Sequence, residues 1–127
     1  MALYILNAFS LSMIDRESQR GTPYGYIPKI GDAMTSARYP KPCDEPASLL
    51  RMFIDITAEI VSAVGHANTA AVFSTILGIP VKANRINVKL KNYPDGDMAL
   101  IGQYIGPRLE EGATELPEGA RIEWWTI

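Results

Sequence analysis

The sequence has few of the residues that most often build catalytic and metal sites. It contains one cysteine, Cys43, and one histidine, His66. A single cysteine excludes an internal disulfide framework and a multi-thiolate zinc site. A single histidine excludes every site within one chain that needs two imidazoles. Any histidine chemistry in this chain therefore depends on His66.

The chain also lacks an excess of basic residues. Its 12 lysines and arginines stand against 14 aspartates and glutamates, which gives a formal net charge of −2. Broad nucleic-acid-binding surfaces normally carry a clear basic excess, so duplex nucleic acid is not an expected partner. A small polyanion held by a few arginines stays compatible with this charge. The hydrophobic fraction of 47% in 127 residues argues against disorder and predicts a single domain.

No long hydrophobic run is present. The apolar stretch 1–14 is shorter than the roughly 20 residues that span a bilayer. It also lacks the basic segment and cleavage pattern of a targeting signal. We interpret residues 3–9 as a buried strand. We expect a cytoplasmic protein without a membrane partner, in the host cytoplasm if a virus encodes it.

The remaining pattern predicts a small mixed α/β domain, a mixed β-sheet flanked by short helices. Residues 15–46 hold five prolines and three tyrosines and show no regular period, so we expect a long loop and hypothesise that it is a lid. Alternating apolar residues favour a strand over 49–56, with a helix from Ala47 as the alternative, and then a short helix over 57–64. A second helix is expected over 68–77, capped by Asn68 or Thr69 and ended by Gly78.

The last third of the chain resembles a hairpin-rich sheet. Alternation predicts a strand over 85–91, and the segment 93–96 supplies a turn. We interpret Asp95 and Asp97 as residues of that turn. A strand over 98–105, broken by Gly102, and a final strand around 122–126 complete the predicted domain.

The most informative segment lies around His66. Gly65 ends one predicted helix and His66 precedes the next, where unpaired backbone N–H groups form a natural site for phosphate. The alternative is that His66 only packs and caps at the turn between two helices. Arg108, which follows a strand, can bind phosphate oxygens, and Glu111 can orient a hydroxyl or that arginine. Arg85 has the same phosphate-binding potential, and for both arginines the alternative is a solvated surface charge.

Several short segments together resemble the viral ring nucleases, small anti-CRISPR proteins that counter type III systems. The segments are LNAFS (6–10), GH (65–66), TA (69–70), LG (77–78), NR (84–85), GD (96–97) and RLEEG (108–112). The resemblance covers residues 3–14 and about 57–127. It implies a homodimeric α/β fold, no cofactor, and metal-independent cleavage of cyclic tetra-adenylate, the second messenger that type III CRISPR effectors use.

The resemblance also implies roles for individual residues. His66 and Glu111 match the catalytic positions of the family, and Ser10, Arg85 and Arg108 match positions near the ligand. The backbone at Asn68 and Thr69 is expected to bind phosphate, because these residues begin the predicted helix. The chain departs from many relatives at 67–68, where they carry Asp-Ser, and at 107, where they carry Gln.

The chemistry of such a substrate suits a site with one histidine. The ribose 2′-hydroxyl attacks its own phosphorus, and His66 is expected to protonate the leaving 5′-oxygen. The products are linear oligoadenylates with 2′,3′-cyclic phosphate ends, and a C2 homodimer supplies two such sites to one ring. The alternatives are a cyclic-oligoadenylate sponge or sensor with little turnover, and a nucleic-acid-binding or structural viral protein.

Overall fold

A computed structural model describes residues 2–10, 13, 40–56, 59–90 and 97–127. Within these ranges the chain forms a five-stranded mixed sheet and two helices, which confirms the predicted fold class. In chain order the elements are β1 (Ala2–Leu6), β2 (Lys41–Pro42), α1 (Pro46–Asp55), β3 (Glu59–Ser62), α2 (Ala67–Leu77), β4 (Met98–Ile105) and β5 (Arg121–Thr126). Neither helix is long and apolar enough to cross a membrane in this part of the chain.

The sheet has the strand order β2-β5-β4-β1-β3. The central strand β1 runs parallel to both of its neighbours, and Leu3 stands opposite Ile60 of β3 and Met98 of β4. Strand β5 is antiparallel to β4, with Trp125 opposite Ile101. The short edge strand β2 is antiparallel to β5. Three neighbouring strands, β3, β1 and β4, therefore point the same way, and their carboxyl ends share one edge.

Both faces of the sheet are covered, as the apolar sequence of β1 predicts. Both helices pack on the first face, where Leu50 and Phe73 meet Leu3 and Leu100. On the second face, β-sheet residues that include Leu6 and Ile101 pack with Val88 and Leu90 from the segment before β4. The alternation along β1 thus separates two hydrophobic cores.

The strand prediction for residues 49–56 is wrong, and the helical alternative is right. Pro46 stands in the first turn of α1, where a proline costs no helical hydrogen bond. Leu50 and Phe53, three residues apart, are the buried residues of this helix. Met52 and Ile54, which the strand prediction placed on the same buried face as Leu50, are exposed.

The short helix predicted over 57–64 is also wrong. Residues Glu59–Ser62 form β3, which pairs with β1 at the edge of the sheet. Ile60 and Val61 are β-branched and suit a strand. Tertiary pairing with β1 therefore overrides the local pattern that suggested a helix.

The segment before β4 is not the strand that alternation over 85–91 predicts. Its described residues, 85–90, form no strand ladder. Val88 and Leu90 are buried against the second face of the sheet, and the Leu90 N–H donates to the Met13 carbonyl at 2.6 Å. The alternating pattern therefore reflects burial without a continuous strand in the described residues. The predicted turn at 93–96 lies outside the described residues.

Most of the predicted loop over 15–46, and with it the lid hypothesis, lies outside the described residues. The final part of this segment forms regular secondary structure where we predicted a loop. Lys41 and Pro42 form β2, opposite Thr126 and Trp125 of β5, and Pro46 already begins α1. A proline fits here because β2 is an edge strand of the sheet that the described residues form, and an edge strand can spare one backbone N–H.

Asp97 is a structural residue rather than the turn residue that we predicted. It is only 6% exposed, and its carboxylate accepts a hydrogen bond from the Ala2 N–H at 3.0 Å. Asp97→Ala is expected to destabilise the fold by about 1–3 kcal/mol, because the buried Ala2 N–H loses its acceptor. Urea unfolding measures this difference. The exposed Asp44 provides the control, and an equal loss in Asp44→Ala would contradict the assigned role.

Candidate functional site

The residues singled out in the sequence follow the carboxyl ends of the three parallel strands. Asn7 and Ser10 come after β1, His66 comes after β3, and the turn with Arg108 and Glu111 comes after β4. Because β3, β1 and β4 are parallel, these three segments emerge at the same edge of the sheet. The carboxyl edge of parallel strands is where open α/β sheets bind ligands. The topology thus gathers segments that lie far apart in the sequence.

His66 occupies the N-cap position of α2. Its backbone is extended, with φ −126° and ψ 131°, and its carbonyl accepts the Ala70 N–H at 2.9 Å. The prediction of Asn68 or Thr69 as the N-cap is therefore wrong. The His66 side chain makes no capping hydrogen bond and is exposed. Within the described residues, the His66 side chain is therefore neither buried nor bonded to the helix that its backbone caps.

The peptide before His66 is held from two sides. The Gly65 N–H donates to the Asn7 side-chain oxygen at 3.2 Å, and the Gly65 carbonyl accepts Arg85 Nε at 2.9 Å. Both polar groups of Gly65 are thereby engaged. Asn7 holds a place in the site that sequence reasoning did not assign to it. The signals in the sequence were that Asn7 interrupts an apolar run and belongs to the segment LNAFS.

A first hollow of about 380 Å³ opens beside this peptide, and its lining includes Asn7, Gly65, His66 and Arg85. Arg85 is exposed, and the hydrogen bond that it makes to the described residues is the one from Nε to the Gly65 carbonyl. The other two guanidinium nitrogens can therefore donate to an anion. These two nitrogens make this hollow suited to a phosphodiester, and the N–H groups that begin α2 follow directly after His66, which lines it.

A second hollow of about 530 Å³ is lined by Asn68, Arg108, Leu109, Glu110 and Glu111. Arg108 and Glu111 are exposed. The second hollow is joined to α2 by Asn68, whose side-chain oxygen accepts the Gly112 N–H at 3.2 Å. The two hollows therefore flank the start of α2.

The structure brings together only some of the predicted site residues. His66 and Arg85 share the first hollow, whereas Arg108, Glu111 and Asn68 share the second. Ser10 and Thr69 are among the lining residues of neither, although both lie in the segments at this edge. Of these two hollows in the described part of the chain, His66 lines one and Glu111 the other.

Cysteine and metal chemistry find little support in the described ranges. Cys43 packs against the first core, and burial raises the pKa of its thiol. A raised pKa disfavours the reactive thiolate at neutral pH. No three His, Cys, Asp or Glu side chains are grouped as metal ligands in the part of the chain that the structure covers.

The fold and the site define a class, that of small mixed α/β proteins with an exposed histidine and arginines at the carboxyl edge of parallel strands. Within that class, the chain belongs to the STIV B116-like family, whose model matches residues 44–122. The fold is similar to that of B116 of Sulfolobus turreted icosahedral virus, with a TM-score of 0.66 and 24% sequence identity over 99% of this chain and 97% of that chain. No curated protein matches the sequence. The family membership supports the expectation of a viral protein.

Proposed function

We propose that the protein is a ring nuclease that cleaves cyclic tetra-adenylate without a metal ion and thereby suppresses type III CRISPR immunity. The observation that carries the proposal is the convergence at one sheet edge. Residues 6–10, 65–66 and 108–112, which carry the resemblance to viral ring nucleases, follow the carboxyl ends of three parallel strands. Distant segments that converge on one edge favour a shared ligand over three unrelated surface turns.

His66 is the proposed general acid. Cleavage forms a bond between the ribose 2′-oxygen and phosphorus and breaks the bond from phosphorus to the 5′-oxygen. The 2′-hydroxyl proton passes to solvent, and the leaving 5′-oxygen takes a proton from the His66 imidazolium. An exposed imidazole without a capping hydrogen bond can present a ring nitrogen to that oxygen.

The second requirement is a set of donors that stabilise the negative charge on the phosphoryl oxygens. Arg85 lines the hollow of His66 and has two guanidinium nitrogens for this purpose. The first intrahelical bond of α2 is made by the Ala70 N–H, so the N–H groups of residues 67–69 precede it and can bind further phosphate oxygens of the ring. Fixed donors of this kind stabilise charge that builds up in the transition state.

The proposal includes a C2 homodimer around the ring. A ring of four identical nucleotides contains a two-fold axis, so two copies of the site can act on one ligand. Arg108 and Glu111 line a hollow separate from that of His66. In a dimer the second hollow supplies further contacts to the same ring, with Glu111 orienting a ribose hydroxyl or an arginine.

Surfaces that suit the adenine bases of the proposed ligand lie near the first hollow. A further hollow of about 400 Å³ shares Asn7 and Ala8 with it and is lined also by Phe9, Gln103 and Trp125. Aromatic side chains stack on nucleobases. The three tyrosines of residues 15–46 lie outside the described residues.

The test is incubation of the purified protein with cyclic tetra-adenylate in the presence of EDTA, followed by chromatography and mass spectrometry. The expected products are linear oligoadenylates with 2′,3′-cyclic phosphate ends, mainly the di-adenylate. Cyclic hexa-adenylate in a parallel reaction reports ring-size preference. Tight binding with recovery of the intact ring identifies a sponge or sensor instead. Absence of both binding and cleavage rejects the proposal.

A further inference from the structure

We propose that Asn68 is a positioning residue that couples the turn with Arg108 and Glu111 to the start of α2. The effect on catalysis rests on the ring-nuclease function proposed above, whereas the coupling itself rests on geometry alone. Asn68 is the second residue of α2, two positions after His66. It lines the second hollow, while His66, two positions earlier, lines the first.

The coupling consists of a hydrogen bond between residues 44 positions apart. The side-chain oxygen of Asn68 accepts the Gly112 N–H at 3.2 Å. Gly112 has φ +82°, a conformation that glycine adopts without strain. The turn is closed by a bond from the Ala113 N–H to the Glu110 carbonyl at 3.0 Å. The bond from Asn68 thus holds the end of a defined turn.

A second bond ties the same segment to α2 farther along the helix. Thr75 Oγ donates to the Thr114 carbonyl at 2.7 Å. Asn68 and Thr75 are seven residues apart, about two helical turns, so they lie on one face of α2. Residues 112–114 therefore run along that face. The hydrogen bond of Asn68 lies close to His66 in the helix, and the hydrogen bond of Thr75 lies about 10 Å farther along the helix axis.

The hydrogen bond from Asn68 matters because the functional side chains of the turn have no hydrogen-bond or ion-pair partners among the described residues. Arg108 and Glu111 are exposed, and the ion pair that the described residues form joins Arg121 to Glu123 instead. The position of the turn relative to His66 thus depends on backbone contacts. Asn68 uses its side chain for this contact, and its own backbone N–H stays available for the phosphate-binding role predicted from the sequence.

Asn68→Ala removes the acceptor and is expected to lower kcat for cyclic tetra-adenylate about ten- to a hundredfold, because the turn loses its fixed position. KM should change much less. Asn68→Asp keeps an oxygen for Gly112, so kcat should recover while the added negative charge raises KM for the anionic ring. Thr75→Val is the matched control. It removes the distant tie, and kcat should stay near that of the unaltered protein.

Amide hydrogen exchange of Gly112, followed by NMR without ligand, tests the coupling independently of activity. Exchange in Asn68→Ala should be roughly two- to tenfold faster, as expected for the loss of one hydrogen bond, and unchanged in Asn68→Asp and Thr75→Val. Unchanged exchange in Asn68→Ala overturns the coupling. Faster exchange with unchanged kcat overturns the positioning role, and a change in KM alone makes Asn68 a ligand contact instead. If the unaltered protein cleaves no ring, the proposed function fails, and Gly112 exchange still decides the coupling.

Discussion

His66→Ala is expected to lower the rate of cyclic tetra-adenylate cleavage by about 10²–10⁴-fold, the usual contribution of a positioned general acid. The imidazolium transfers its proton only as the 5′-oxygen leaves, so its loss raises the barrier of the chemical step. Arg85 and the N–H groups that begin α2 remain in place, and binding of the ring should persist. Single-turnover kinetics and calorimetric titration measure the two quantities separately.

The structure makes His66 favourable for this experiment. Its side chain is exposed and makes no capping bond, while its carbonyl, which any residue retains, accepts the Ala70 N–H. The free energy of unfolding should therefore hardly change. His66→Gln keeps a polar side chain but no acid, and it should be as slow as His66→Ala. Undiminished cleavage by either variant would assign the proton to another group, and a lost ring affinity would make the imidazole a binding contact.

The residues of the candidate site could be proposed from local sequence patterns, but the hydrogen bonds that connect them could not. A glycine and histidine before a helix, and an arginine after a strand, are local patterns with a physical meaning. The bonds from Gly65 to Asn7 and from Gly112 to Asn68 span 58 and 44 residues. They join a backbone N–H to a side-chain oxygen across the fold, and such a pairing leaves no periodic trace. Asn7 was therefore missed, and the side-chain role of Asn68 was not seen.

The fold shows the same division between local and long-range information. The end of α2 was predictable because Gly78 adopts the left-handed conformation, with φ +73°, that ends many helices. The secondary structure of residues 49–56 was not predictable, because their apolar side chains suit both the period of 2 of a strand and the period of 3.6 of a helix. Burial of Leu50 and Phe53 decides for the helix. Along 85–90, the alternation correctly indicated that Val88 and Leu90 are buried. It wrongly indicated a strand, which these residues do not form.

Phe73 connects this packing to the site. It lies on α2, is fully buried, and its ring centroid is 4.8 Å from that of Trp124 on β5, with the planes tilted by 51°. The sequence predicted that Gly102 breaks β4, yet the strand continues through it. Gly102 instead provides space, since a Cβ there would lie 2.5 Å from Phe73 Cζ. Helix α2, which begins after His66, therefore packs on the sheet through the Phe73 ring, and this packing requires a glycine at position 102.

Phe73→Ala is expected to destabilise the fold by about 3–5 kcal/mol, the usual cost of truncating a buried phenylalanine. Urea unfolding followed by circular dichroism measures the loss. The control is Met52→Ala, which shortens a large side chain that is 53% exposed and should have a far smaller effect. Gly102→Ala alone should cost about 1–3 kcal/mol by overpacking. In the Phe73→Ala background the same methyl group still meets Trp124 Cζ3, at 2.7 Å, but no longer the Phe73 ring, so its cost should fall. Additive losses would contradict the close packing of Phe73 over Gly102, because residues in contact do not contribute independently.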